Sequence, residues 1–376
     1  MQYPVIFQNQ RQQKLLQLIM ELCQIPAPSG HEEKRAEFCR RWFDNAGCSD
    51  VFVDSALNVI VPYNMDKKDI VVILAHMDTV FPDTEPMPMR IDNGRLYCPG
   101  VGDDTASLGA LMLMAERCIK EKPDTEYGIL FAAVSGEEGY GNLRGTRELM
   151  RQYGNRIKEF ISFDHGTFDS VVTKAVGCHR YNIKVEAQGG HSYGCFGNTN
   201  AIHILSMLIS ELYKVKVPVK EGTRTTYNVG LVSGGTSINT IAANASMAYE
   251  YRSDSEECLK EMKDIFNEKI ECFTRQGYHI KTELLGERPC SGKVDEKEHG
   301  RLMDRINSVY QGCIGSIPKE ISGSTDSNIP LSKGIASVTI GTYLGSGAHT
   351  RDEYLQISSL PTGLKIVDSL LDSFII

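Results

Sequence analysis

The sequence predicts an α/β protein with a mixed sheet, interrupted by an inserted α+β unit. Three observations predict it. Short apolar runs at 70–75, 128–134 and 160–163 each lead directly into acidic or imidazole residues. An Ala/Leu/Met-rich helical stretch at 105–119 lies between the first two runs. After about Ala175 the pattern changes to alternating strands and amphipathic helices. Strands alternating with helices mean a parallel or mixed sheet covered by helices, and such sheets bind ligands beyond the carboxyl ends of their strands.

Taken in order, residues 10–24 carry Leu15, Leu16, Ile19 and Leu22 at helical spacing, and Pro26 and Pro28 end that helix. Ser29 followed by Glu32 is a capping-box pattern and predicts a second helix over 30–45. Both helices read as packing elements without chemistry. The three buried strands are followed by His76-Met77-Asp78, by Ser135-Gly136-Glu137-Glu138 and by Asp164-His165-Gly166. A strand at 181–187, a helix at 199–213, strands at 227–232 and 245–251 and a helix at 256–274 make the inserted unit. From about Pro289 the α/β pattern returns, with a helix at 298–310, a strand at 336–340 and a terminal helix from Leu360.

With 376 residues the chain exceeds one ordinary domain. Hydrophobic residues at 41% and charged residues at 23% are ordinary for a globular protein. A net charge of −8 without a Lys/Arg block argues against nucleic acid. Eleven cysteines with no CxxC pair suit neither a disulfide framework nor a zinc ribbon, and fit a reducing compartment. The first ten residues lack an apolar segment behind a basic start, and no apolar run reaches the roughly 18 residues of a membrane span. The expectation is a cytoplasmic protein with no membrane partner.

Dinuclear hydrolysis needs a bridging carboxylate, terminal imidazole and carboxylate ligands, and a base that is not a ligand. His76, Asp78, Asp103-Asp104, Glu137-Glu138, Asp164 and His349 supply that inventory. Each alone has an ordinary explanation: a turn after Gly102, a solvated acidic pair, an N-cap, a loop histidine. Together they point to a cation, because several carboxylates collected at strand ends are costly without one.

These residues resemble the cocatalytic dizinc hydrolases that include peptidase T, carboxypeptidase G, acetylornithine deacetylase and succinyl-diaminopimelate desuccinylase. The resemblance is carried by Ala75-His76-Met77-Asp78, Gly100-Val101-Gly102-Asp103-Asp104, Gly136-Glu137-Glu138-Gly139, Asp164 and Gly345-Ser346-Gly347-Ala348-His349, and runs from Ile25 almost to the C-terminus. It implies a mixed-sheet zinc-peptidase catalytic domain (1–176 and 288–376) with an inserted, ferredoxin-like α+β dimerisation or lid domain (177–287). It implies two Zn2+, with Co2+ or Mn2+ also suited to such donors. His76, Asp103 and Asp164 would hold one ion, and Asp103, Glu138 and His349 the other. Glu137 would be the base and acid, taking a proton from the metal-bridging water and delivering it to the leaving amine. Asp78 would orient the His76 ring. His191, in Gly189-Gly190-His191-Ser192, would stabilise the oxyanion in the partner subunit of a homodimer. Asn239 and Arg252 would bind the substrate carboxylate or carbonyl, and Thr325-Asp326 would have a supporting role. The resemblance also implies a cis peptide between Asp103 and Asp104.

Two positions depart from the family pattern. Thr105 stands where lysine is common and Val101 where arginine is, which bears on substrate subclass. His165 offers an imidazole beside Asp164, but the motif position is a carboxylate in relatives. The remaining histidines have no motif context. Relatives that are aminopeptidases tend to carry Asp at the position of Asp164, and deacylases and carboxypeptidases tend to carry Glu. The expected activity is therefore an aminopeptidase on short peptides. The rivals are an N-acyl amino acid deacylase or carboxypeptidase with the same site, and a non-catalytic binding protein on this fold. The last expects a lost ligand or a lost Glu137, and neither is lost.

Overall fold

The computed structural model describes residue 7 and residues 9–376, so the stretch read for a secretory signal falls largely outside the described residues. The chain forms two compact units. Unit 1 joins Met1–Ala175 to Gly292–Ile376, and unit 2 is Val176–Ser291.

Unit 1 begins with α1 (Gln10–Cys23), α2 (Glu33–Asn45), β1 (Phe52–Val53), β2 (Val59–Tyr63), β3 (Ile70–His76), β4 (Arg90–Asp92), β5 (Arg95–Tyr97), α3 (Ser107–Glu121), β6 (Gly128–Val134), α4 (Arg144–Tyr153), β7 (Ile157–Phe163) and β8 (Ser170–Ala175). Unit 2 supplies β9 (Gly177–Glu186), β10 (Gly190–His191), α5 (Ala201–Leu212), β11 (Thr225–Gly234), β12 (Thr240–Ile241), β13 (Asn244–Ser253), α6 (Glu256–Arg275) and β14 (His279–Arg288). Unit 1 resumes with α7 (Glu296–Ile314), β15 (Lys319–Gly323), α8 (Asn328–Ser332), β16 (Ala336–Ile340), β17 (Gly345–Ser346), β18 (Tyr354–Gln356) and α9 (Leu360–Asp372).

The main sheet of unit 1 has the order β1-β2-β6-β3-β7-β16-β8-β15. Strands β6, β3, β7 and β16 are parallel, so their carboxyl ends share one edge. β2 runs antiparallel to β6, and β8 antiparallel to β16, which makes the sheet mixed. β3 is buried along its whole length. Val71, Ile73 and Ala75 face a core shared with Leu15, Leu111 and Leu370, while Val72 and Leu74 face a second core with Leu149. Burial on both faces explains why these strands read as unbroken apolar runs.

Unit 2 is a βαββαβ unit with all neighbours antiparallel in the order β11-β13-β9-β14, the ferredoxin-like arrangement. Tyr181, Ile183, Val185, Met247, Tyr249 and Tyr251 alternate inward against Leu205, Leu208, Met262 and Phe266. β14 escaped the sequence reading because its residues are mostly exposed, as on an edge strand. It runs to Arg288, past residue 287, and the unit ends at Ser291.

The second helix departs from the expected 30–45. It starts at Glu33, and neither Ser29 nor Glu32 makes the expected cap. Ser29 Oγ instead donates to Asp78 Oδ2 at 2.6 Å. Glu32 is fully buried and pairs with Arg144 at 3.0 Å. α3 starts at Ser107 because the preceding Val101–Ala106 is a distorted turn in which Asp103 and Asp104 leave helical geometry. The Asp103–Asp104 peptide is cis, as the resemblance implies. Among the described residues no helix is long and apolar enough to cross a membrane.

Candidate metal centre

The carboxyl edge of the parallel strands collects the acidic and imidazole groups. β3 ends on His76, whose Nδ1 lies 3.0 Å from the main-chain oxygen of Asp78. A carbonyl can only accept, so Nδ1 donates to it, and Nε2 is the nitrogen turned toward the carboxylates. That Nε2 is 2.9 Å from Asp103 Oδ1. The other oxygen of Asp103, Oδ2, is 3.1 Å from His349 Nε2. His349 Nε2 is also 2.8 Å from Glu138 Oε1. Asp164 follows β7, its N–H bonded to Ile340 of β16, and its Oδ1 lies 4.0 Å from His76 Nε2. Two triads result, His76/Asp103/Asp164 and Asp103/Glu138/His349, each with ligand atoms within 4.8 Å of one another and with Asp103 in both. His76, Glu137 and Glu138 meet the same limit, which puts the Glu137 carboxylate at the site. His349 takes a φ of 65°, a left-handed conformation uncommon outside glycine.

Several groups hold these residues in place, and most escaped the sequence reading. The Asp78 carboxylate accepts from the main-chain N–H of Glu137 and of Glu138, both at 2.9 Å, and from Ser29. His76 Nδ1 is closer to the Asp78 main-chain oxygen, at 3.0 Å, than to Asp78 Oδ1, at 3.6 Å. The Asp78 carboxylate thus binds the Glu137-Glu138 main chain directly and also lies beside the imidazole that the sequence assigns to it. Asp104 is buried and accepts from His76 N at 2.9 Å. Arg35 of α2 is buried and donates to the main-chain oxygens of Leu22, Ile25 and Met77, so α2 is more than a packing helix. Glu353, also buried, accepts from the N–H groups of Gly100, Gly102 and Asp103.

The electrostatics fit a cation. Burial raises Asp103, but hydrogen bonds from His349 and His76 outweigh it and hold the carboxyl well below the usual range. Burial and then the Asp103 charge push Glu138 up to about 7 and raise Asp164 strongly. Burial likewise raises Asp104. Hydrogen bonds to Asp103 and Glu138 push His349 up to about 10. So many carboxyls against two imidazoles favour extra positive charge at this edge. The donors are nitrogen and oxygen alone, the set that zinc accepts.

A model of peptidase family M20/M25/M40 matches residues 72–373. The chain belongs to this family. It is a hydrolase of the metallopeptidase and amidohydrolase class. The uncharacterized protein YqjE of Bacillus subtilis is 24% identical over 382 residues, 96% of this chain and 98% of its own. Acetylornithine deacetylase of Buchnera aphidicola is 24% identical over 331 residues, 82% of each chain. The crystal structure of aminopeptidase PepT from Bacillus cereus shares the fold, with a TM-score of 0.71, 22% identity and coverage of 96% of this chain and 98% of that one.

In unit 2, His191 pairs with Thr240 across β10 and β12, and Ser192 N donates to Asn239 O at 2.9 Å. His191 and Asn239 are thus neighbours, and both are exposed. Arg252 is not with them. It lies near the other end of β13, ion-paired with Glu250 at 2.8 Å. In unit 1, His165 turns to Ser170 Oγ at 3.0 Å and joins neither triad. Thr325 Oγ1 bonds Thr339, and Asp326 accepts from Thr146 at 2.6 Å.

Proposed function

We propose that the chain is an aminopeptidase acting on short peptides, with two zinc ions held by His76/Asp103/Asp164 and Asp103/Glu138/His349. The observation that carries this is the pair of triads sharing Asp103, with Glu137 beside them. Asp164 as the terminal carboxylate supports the aminopeptidase over the deacylase. When bound, zinc (or cobalt or manganese in the same donor set) polarises the scissile carbonyl and lowers the pKa of water toward about 7. Glu137 takes the proton from the attacking water and delivers it to the leaving nitrogen. Its main chain is fixed on Asp78, beside the two triads. Arg252 and Asn239 serve substrate recognition.

Unit 2 is read as the dimerisation domain of a homodimer, through which His191 stabilises the oxyanion in the partner copy's site. Its edge strand β11 leaves Leu231 67% and Val232 60% exposed, and Tyr193, Phe196 and Ile238 flank His191 and Asn239 in the open. The eleven free cysteines support a cytoplasmic location.

The test is a panel of tripeptides and N-acetyl amino acids, assayed with added zinc and after chelation. Tripeptide hydrolysis that chelation abolishes and zinc restores is the expected result. Turnover of the acylated amino acids alone would replace this reading with a deacylase. Turnover of none of them by zinc-loaded protein would leave a binding protein.

A further inference from the structure

One buried carboxylate ties together the two loops that carry Asp103 and His349. Glu353 is 2% exposed. Its Oε2 accepts from Gly100 N at 2.6 Å, and its Oε1 from Gly102 N at 2.9 Å and Asp103 N at 2.8 Å. Its main-chain oxygen accepts from Cys98 N at 3.2 Å, so side chain and backbone together clasp residues 98–103. On its other side Glu353 closes the His349 loop. Its N–H donates to Thr350 O, and a Cβ at Gly347 would meet the Glu353 Cα at 3.2 Å. The next residue, Tyr354, is locked into β18 opposite Tyr97 and Ser346.

The loop it holds has no slack. Gly100 sits at φ 75°, and a Cβ there would meet Thr79 Cγ2 at 2.7 Å. A Cβ at Gly102 would meet the Tyr343 hydroxyl at 2.6 Å. With both sides packed, the three convergent N–H bonds decide where the Asp103 main chain sits. N–H bonds to an ionised carboxylate are among the stronger ones. Asp103 belongs to both triads, so a shift of its backbone misplaces a donor of each.

We infer that Glu353 is the positioning residue for the bridging carboxylate, fixing Asp103 against His349 by binding the main-chain N–H groups of Gly100, Gly102 and Asp103. The inference rests on the reading that Asp103 bridges two metal ions. Glutamine at this position keeps the shape but sets an amide donor against at least one of the three N–H donors.

The test uses full-length Glu353→Gln and Glu353→Asp, with Glu159→Gln as control. Glu159 is a buried unit-1 carboxylate bonded to Arg305, at the opposite end of β7 from Asp164. Zinc affinity is read by competition with a chromophoric chelator, and thermal unfolding by the metal-free forms. Glu353→Gln is expected to bind zinc about 10–100-fold more weakly, the range for partners behind metal ligands. Glu353→Asp should lie between it and the parent, and Glu159→Gln should keep parental zinc affinity whatever stability it loses. Parental affinity in a folded Glu353→Gln overturns the inference, and so does an equal loss in the control. If Glu353→Gln does not fold, Glu353→Asp decides by the same criterion. If neither folds, Glu353 is a general anchor of the fold and the inference is overturned. A parent chain that takes up no zinc sinks the metal reading and this inference together, whereas a two-zinc parent matched by its variants sinks the inference alone.

Discussion

Asp78→Asn separates two ways in which one carboxylate can serve the centre. The carboxylate holds two main-chain N–H groups, those of Glu137 and Glu138, at 2.9 Å each. Asparagine has nearly the same volume, but its single carbonyl oxygen can keep only one of them, and its amide turns a donor toward the other. A hydrogen bond to a charged group contributes about 1.5–3 kcal/mol, and a buried N–H left without an acceptor costs about 1–3 kcal/mol. A loss of about 3 kcal/mol, felt as displacement of Glu137 and Glu138, is about a hundredfold in kcat/KM. The His76 ring should stay in place, because its partner is the Asp78 main-chain oxygen, which the substitution leaves intact. Steady-state kinetics at saturating zinc, with metal occupancies from anomalous scattering, read both effects. The metal of Asp103, Glu138 and His349 should be depleted first. The reasoning is refuted if kcat/KM stays within about twofold of the parent, or if the metal of His76, Asp103 and Asp164 goes first.

Three further outcomes are expected. Glu137→Gln should retain its zinc, by metal analysis, while kcat falls about 10²–10⁴-fold; a loss of metal of the same size would make Glu137 a ligand. In the chelated protein, Glu138 is raised from 4.5 to about 7 and His349 from 6.5 to about 10, so each binds its proton more tightly folded than unfolded. Their contribution to stability is full below the lower values and is lost as pH rises through the higher ones. Unfolding temperature without metal should therefore fall between about pH 5 and about pH 10, and zinc, which needs deprotonated ligands, should add more stabilisation as pH rises; a chelated protein that gains stability across that range contradicts the assignment. Leu231→Asp on the exposed edge of β11 should give a monomer by analytical ultracentrifugation and reduce kcat as severely as His191→Ala, and a fully active monomer would remove the partner subunit from the mechanism.

Much of unit 1 was legible because its central strands are buried on both faces and end on motif residues. β16 lies at the expected 336–340, β6 spans its apolar run, and β3 extends one residue past its run to His76. β8, β15 and β14 were not read, since partly or largely exposed strands need few apolar residues. Around the centre, the residues with motif spacing could be found. Glu353, Arg35 and Ser29 could not, because what they bind is main chain or a distant carboxylate, and a peptide N–H or C=O has no signature in the sequence. Ser29 shows the trap most clearly: its spacing to Glu32 fits a helix cap, yet its hydroxyl is committed to Asp78. Arg252, read as a substrate-binding residue, pairs with Glu250 two residues away on its own strand, a neighbour that motif matching does not weigh.

The triads draw on positions from residue 76 to residue 349, with the whole of unit 2 encoded between them. No local segment can assemble such a centre. His349 reaches Asp103 only after the chain has left unit 1, built the insertion and returned to lay down β16 beside β7. Contacts this far apart in sequence form late, because the chain entropy of closing the loop is lost before they stabilise anything. On the proposed two-ion reading, the second triad exists only once His349 has been brought to Asp103, so a chain cut before residue 349 would lack a donor for that ion. An ion that binds only that assembled state would draw the population of conformers toward it.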